Sequence, residues 1–166
     1  MNDHKYYLRR AAEILRTIQY ATVATVSPSG HPWNSPVFAV TDTDLSLYWF
    51  SDKAAQHSKN VRASNEAFIA IYDSTCPEGT GEGVYLQVRV EELHSIKEVR
   101  RARQLKKGVA DSPQAFLGPA VRRVYKATPR KMWMNAVQIE GTQFIRDYRV
   151  ELSIDEVLCQ LVRDEQ

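Results

Sequence analysis

Residues Ser51 to Asn60 read SDKAAQHSKN and gather groups that bind anions. Ser51 and Ser58 bring hydroxyls, His57 an imidazole and Lys59 an ammonium. A helix starting inside this stretch would add free backbone N–H groups and the positive end of its dipole, which together suit a phosphate. An ordinary solvated helix has the same composition, so the stretch alone leaves both readings open.

A second stretch is Trp33-Asn34-Ser35-Pro36-Val37. Asn34 and Ser35 are polar residues in a strand-like segment, and Pro36 cannot donate to a ladder, so one edge here should be open or bulged. Free backbone groups along such an edge suit a planar heterocycle; an edge strand protected by proline is the plainer reading. Trp133, in Lys131-Met132-Trp133-Met134, is by default a packing residue. The basic run Lys97 to Lys107 is most simply a solvated helix face; recognition of an anionic ligand is the weaker reading.

Other chemistry is not encoded in recognisable form. The chain has no Gly-x-Gly-x-x-Gly fingerprint, phosphate loop or Gly-x-Ser-x-Gly elbow. The four histidines, His4, His31, His57 and His94, lack metal-ligand spacing, and Cys76 and Cys159 form no Cys-x-x-Cys pair. If the chain is an enzyme, a cofactor carries the hard chemistry. With 22 basic and 20 acidic side chains the net charge is +2, which gives no footprint for nucleic acid. No apolar run reaches the roughly 18 residues of a membrane span. The first residues, MNDHKYYLRRAAEIL, carry charges where a signal peptide needs an apolar stretch. A cytoplasmic protein of one domain, residues 1–166, is expected.

The elements that would position these groups follow from periodicity. Leu8, Ala11, Ala12, Leu15 and Ile18 predict an amphipathic helix with Asp3 as its N-cap. Ala21–Val26, Trp33–Val40 and Leu45–Phe50, joined by Ser27-Pro28-Ser29-Gly30 and Thr41-Asp42-Thr43-Asp44, predict an antiparallel three-stranded meander. Lys53–Ser64 should be helical, Ala67–Tyr72 and Val84–Leu93 strands, and residues 73–83 a glycine-rich loop. Ser95-Ile96-Lys97-Glu98 has capping-box spacing and predicts a helix to about Lys107. Residues 108–119 look irregular. Lys131–Ile139 and Gln143–Ile145 are late strands, and a second box, Ser153 to Glu156, opens a helix through about Val162. The sum is a mainly β protein with peripheral helices, an antiparallel barrel rather than a doubly wound sheet.

The order of these segments resembles the pyridoxamine 5′-phosphate oxidase-like, FMN-binding split-barrel family. The resemblance runs from Leu15-Arg16-Thr17-Ile18 through Ala21 to Val26, Ser29-Gly30-His31-Pro32 and Asn34-Ser35-Pro36-Val37. It continues with Leu47-Tyr48-Trp49-Phe50-Ser51, His57-Ser58-Lys59-Asn60-Val61-Arg62 and Ala67 to Tyr72. It covers residues 8–93 well and the rest loosely. It implies an antiparallel split β-barrel and a homodimer with FMN at the interface. Trp33, Asn34, Ser35, Pro36 and Val37 would line the isoalloxazine ring. Phe50, Ser51 and Asp52 would approach the ribityl chain and phosphate, and Ser58 and Lys59, with His57 beside them, would hold the phosphate. Gln87 and Trp133 would add ring contacts, Trp133 from the partner subunit. The implied function is an FMN-dependent oxidoreductase acting on a small molecule, with no side chain as an essential acid or base. The alternatives are a flavin-binding storage or sensor protein, or a haem- or deazaflavin-binding relative. The namesake oxidase carries an arginine-containing C-terminal motif for its vitamin B6 substrate. The tail Val150 to Glu156 does not show it, so that activity is not expected.

Overall fold

The computed structural model describes residues 4–106, 108 and 111–164. Its elements, in order, are α1 (His4–Thr17), β1 (Tyr20–Val26), β2 (Pro32–Phe38), β3 (Val40–Thr41), β4 (Leu47–Asp52), α2 (Gln56–Ser64), β5 (Glu66–Tyr72) and β6 (Gly83–Glu92). Then follow α3 (Ile96–Leu105), a 3-10 turn (Pro113–Phe116), β7 (Arg122–Glu140), β8 (Gln143–Leu152) and α4 (Ile154–Asp164). One antiparallel eight-stranded sheet runs β2-β1-β5-β6-β7-β4-β3, with β8 also on β7. It curls around a core without closing, as a split barrel does.

Strand alternation builds that core. Ala21, Val23 and Thr25 of β1 point inward, as do Ala67, Ile69 and Ile71 of β5 and Val84, Leu86, Val88 and Val90 of β6. Trp49 and Tyr125 stack at the centre, 5.6 Å apart and 19° from parallel. Helix α1 lays Leu8, Ala11 and Leu15 against this core, and Val157 of α4 joins them. A smaller cluster outside β4 and β7, of Tyr48, Leu93, Val99, Ala102, Phe116 and Val124, is covered by α3 and the 3-10 turn.

Several expectations need correction. The first three strands do not form one meander: β1 pairs β2, but β4 leaves β2 and pairs β7. Ala39 breaks the expected strand 33–40, and Leu45 is not extended. Leu45 sits at φ 62 in the turn before β4, an uncommon conformation for leucine, held there by complete burial of its side chain. Helix α2 starts at Gln56 because Asp52 holds residues 52–55 in a turn, accepting from Ala54 N–H through its carboxylate and from Ala55 N–H through its carbonyl. Ser95 makes no side-chain cap bond, so the first capping box does not form. The second is half formed: Glu156 N–H donates to Ser153 Oγ at 3.4 Å, while the Glu156 carboxylate meets His4 instead. The expected N-cap Asp3 and the helix end at Lys107 lie outside the described residues.

Strand β7 is 19 residues long and begins at Arg122, not Lys131. Pro129 sits inside it beside a register shift with β6, between Gln87 and Val88, the kind of irregularity at which a strand tolerates proline. Strand β8 continues past Ile145 to Leu152.

Candidate functional site

Strand β2 ends the sheet, so one edge of Trp33–Val37 has no strand beside it. Its outward residues adjoin β1, β5 and β6, where Ala24, Phe68 and Gln87 are successive ladder partners. Small Ala24 leaves a hollow between Asn34 and Phe68. The result is a cleft of about 600 Å³ lined by Thr25, Trp33, Asn34, Ser64, Phe68 and Gln87, among others. Phe68 lines it, and Trp133 stacks on Phe68 at 6.2 Å and 26°.

Helix α2 runs from this cleft to an uncapped N-terminus. Its C-terminal Ser64 lines the cleft. Its N-cap residue, Ala55, has no side chain to cap it, and Lys59 N–H makes the first helical bond, to Ala55. The N–H groups of Gln56, His57 and Ser58 therefore have no partner among the described residues. No acid sits in that first turn, and Lys59 is exposed beside it. Buried polar contacts hold α2 in place. Asn60 is fully buried, donates to Thr25 Oγ1 at 2.9 Å and accepts from Gln56 at 2.8 Å. Arg62 donates to Lys53 O at 2.6 Å and to Glu92 at 3.1 Å, and Glu92 also accepts from buried Arg123 at 2.8 Å.

His57 ties α2 to β2. The Trp33 indole N–H donates to Ser35 Oγ at 3.0 Å, and Ser35 Oγ lies 3.2 Å from His57 Nδ1. An indole only donates, so the pairing that leaves fewest groups unmet has Ser35 donating to Nδ1 and the imidazole proton on Nε2. His57 Nε2 is buried and has no partner among the described residues. Burial lowers the pKa of His57 below its ordinary value and holds it neutral at pH 7.

The candidate residues from sequence thus divide. Trp33, Asn34 and Gln87 meet at the cleft; Ser35 and His57 join its wall to α2; Pro36 is exposed on the edge strand. Val37 is buried in the core, so only its backbone is presented. Phe50 turns away, its ring edge-on to Phe116 at 4.9 Å. Ser51 is half-buried in the ladder opposite Arg123, and Asp52 is spent on its turn. Ser58 is fully buried and donates to Asp52 O at 2.8 Å, so its hydroxyl proton is not free for a phosphate. Trp133 stacks on Phe68 without lining the cleft. Sequence reasoning missed Phe68 and Thr25. The signal for Phe68 was present: it is apolar at an outward position of an alternating strand.

Among the described residues no group of His, Cys, Asp or Glu is placed to hold a metal ion, and no helix is long and apolar enough to cross a membrane.

A search of curated proteins finds no match. Solved structures share the fold. A Clostridium acetobutylicum protein related to general stress protein 26 of B. subtilis, of the pyridoxinephosphate oxidase family, has a TM-score of 0.63 at 13% identity, covering 94% of this chain and 99% of that one. A heme binding protein from Mycobacterium smegmatis scores 0.63 at 18% identity; 89% of this chain spans 60% of that longer one. An F420 reductase scores 0.55 at 18% identity, covering 74% and 94%. These likenesses are of fold. The pyridoxamine 5′-phosphate oxidase family model matches residues 8–136, from α1 through the barrel to β7, and the chain belongs to that split-barrel family.

Proposed function

We propose that the chain is an FMN-dependent oxidoreductase acting on a small molecule as a homodimer. The observation that carries this reading is the cleft beside the open edge of β2, with an uncapped helix N-terminus and a lysine at the other end of α2. A flat ring fits against Phe68 between Trp33, Asn34 and Gln87. A phosphate fits the free N–H groups of Gln56, His57 and Ser58, with Lys59 beside them. The nine residues of α2 span about 13 Å at 1.5 Å per residue, a length that the ring and its linking chain must cover together. The donor set favours a flavin over haem: the cleft lining contains no His, Cys, Met or Tyr, the usual axial ligands.

Bound FMN would supply hydride transfer at its ring; the chain supplies position and access. Asn34 and Gln87 present amides for ring polar atoms, and Phe68 supports one ring face. Glu66, the one ionisable group of the lining, pairs with Arg130 at 3.3 Å, and the Arg149 guanidinium lies over the Phe68 ring at 5.3 Å. The exposed outward aromatics Tyr20, Trp33 and Tyr72 give a second copy an apolar face to cover.

The absorption spectrum of the purified or FMN-incubated protein tests the reading. Two visible flavin bands support it; a Soret band or a single deazaflavin band in the violet would replace it. A colourless protein that does not quench FMN fluorescence would end it. Anaerobic mixing with NADH or NADPH then separates turnover from storage or sensing: an oxidoreductase bleaches its flavin faster than free FMN is bleached. Sedimentation showing only a 19.0 kDa monomer with flavin bound would refute the dimer.

A further inference from the structure

Away from the cleft, β2 and β4 come together at the seam of the barrel, and a cation lies between them. Lys106, just past α3, places its ammonium 4.9 Å from the ring centre of Phe38 on β2 and 4.9 Å from that of Phe50 on β4. Phe50 packs on Phe116, and over Phe116, at 5.5 Å, lies the guanidinium of Arg122.

A chain of phenyl rings thus carries a cation at each end, Lys106 over Phe38 and Phe50 and Arg122 over Phe116. Burial, and then the charge of Arg122, depress the pKa of Lys106. No acid answers them among the described residues. Asp52 stands opposite Arg122 in the ladder, but its carboxylate accepts from Ala54 N–H at 2.7 Å and forms no ion pair with either cation. Asp42 is taken by Arg101. A lysine flattened on two rings suffices to close a seam. A second cation beside it only adds repulsion, which a bound anion relieves. We propose that Lys106 and Arg122 form a second anion site, under α3 at the seam between β2 and β4, which takes the phosphate or carboxylate of a small molecule.

Calorimetric titration of inorganic phosphate, and separately acetate, into the FMN-saturated protein tests this with the α2 end already filled. Saturable phosphate binding is expected in the wild type. Lys106→Met, which keeps the apolar stem between the rings, and Arg122→Gln should each weaken it about tenfold or more, with unchanged melting curves. Lys59→Ala should leave it intact. Acetate binding lost in the same two variants marks a site for any small oxyanion; phosphate alone marks a phosphate site. Saturable heat absent from the wild type, or equal in wild type and both variants, overturns the proposal. So does loss in Lys59→Ala alone, which puts the anion at α2. If the protein takes no FMN, the flavin reading fails separately, and the same titration in a Lys59→Ala background still reads Lys106 and Arg122.

Discussion

Replacing Lys59 with alanine should separate recognition of a phosphate from recognition of a ring. The structure sets the size of the effect. Lys59 is exposed, and its removal leaves the three free N–H groups of Gln56, His57 and Ser58 and the helix dipole in place, so one contact of several is lost. A hydrogen bond to a charged group contributes about 1.5–3 kcal/mol, whereas exposed ion pairs contribute about 0.2–1 kcal/mol. A site open to solvent on one side belongs near the junction of these ranges, at about 1.4 kcal/mol, or about tenfold in Kd. Riboflavin has no phosphate and should bind both proteins equally. Fluorescence quenching titrations with FMN and riboflavin, at low salt and at about 1 M salt where the screening length shrinks to about 3 Å, give the four numbers needed. The FMN loss should shrink at high salt. Equal losses for both ligands would mean that Lys59 acts through folding, and no loss for FMN would mean that the phosphate lies elsewhere.

Three further outcomes follow from the same geometry. Phe68→Ala removes the ring's support, so FMN and riboflavin should weaken alike, by about 1 kcal/mol or fivefold; a loss confined to FMN would contradict the placement of the ring. Asn60→Ala strands the Thr25 hydroxyl and the Gln56 amide, and should cost about 2–3 kcal/mol, lowering Tm by about 4–12 °C in thermal melts; an unchanged Tm would show that the buried contact does not hold α2. His57 has its pKa lowered on folding, so below about pH 6.5 the unfolded chain takes up a proton that the folded chain does not, and stability falls as pH drops. Urea unfolding at pH 7 and pH 5.5 should show His57→Gln losing less stability than wild type; parallel losses would assign the dependence to other groups.

The sheet was legible where one face is buried and the other wet. β1, β5 and β6 alternate along their length, and their limits fall within a residue or so of expectation. β7 and β8 were legible only in part, as Lys131–Ile139 and Gln143–Ile145, for different reasons. Arg122–Arg130 is charged and holds a proline, and its extended form is imposed by β4 and β6 on either side, which local pattern does not report. β8 has nearly every residue exposed, so it lacks an apolar rhythm. The cleft was half legible: Trp33, Asn34 and Gln87 were named, but only pairing across β1, β5 and β6 brings Phe68 between them. The proposed phosphate end shows the opposite error. Ser58 has the right chemistry, but its burial and its bond to Asp52 can be seen only in three dimensions.

Strand β7 joins the whole assembly. Along one edge it pairs β6; along the other it takes β4 at its first residues and β8 at its last. A nascent chain on the ribosome therefore holds β4 and β6 with unsatisfied edges until residues 122–134 have emerged. Leu47 waits for Ala127 across α2, β5, β6 and α3. Closing so large a loop is entropically costly and comes late, so folding is slow relative to a local meander and the incomplete chain is the species exposed to mispairing. A fragment ending before β7 would keep every β2 and α2 residue named for the ligand and leave the strand that leads into α2 with only the two-residue β3 as its partner.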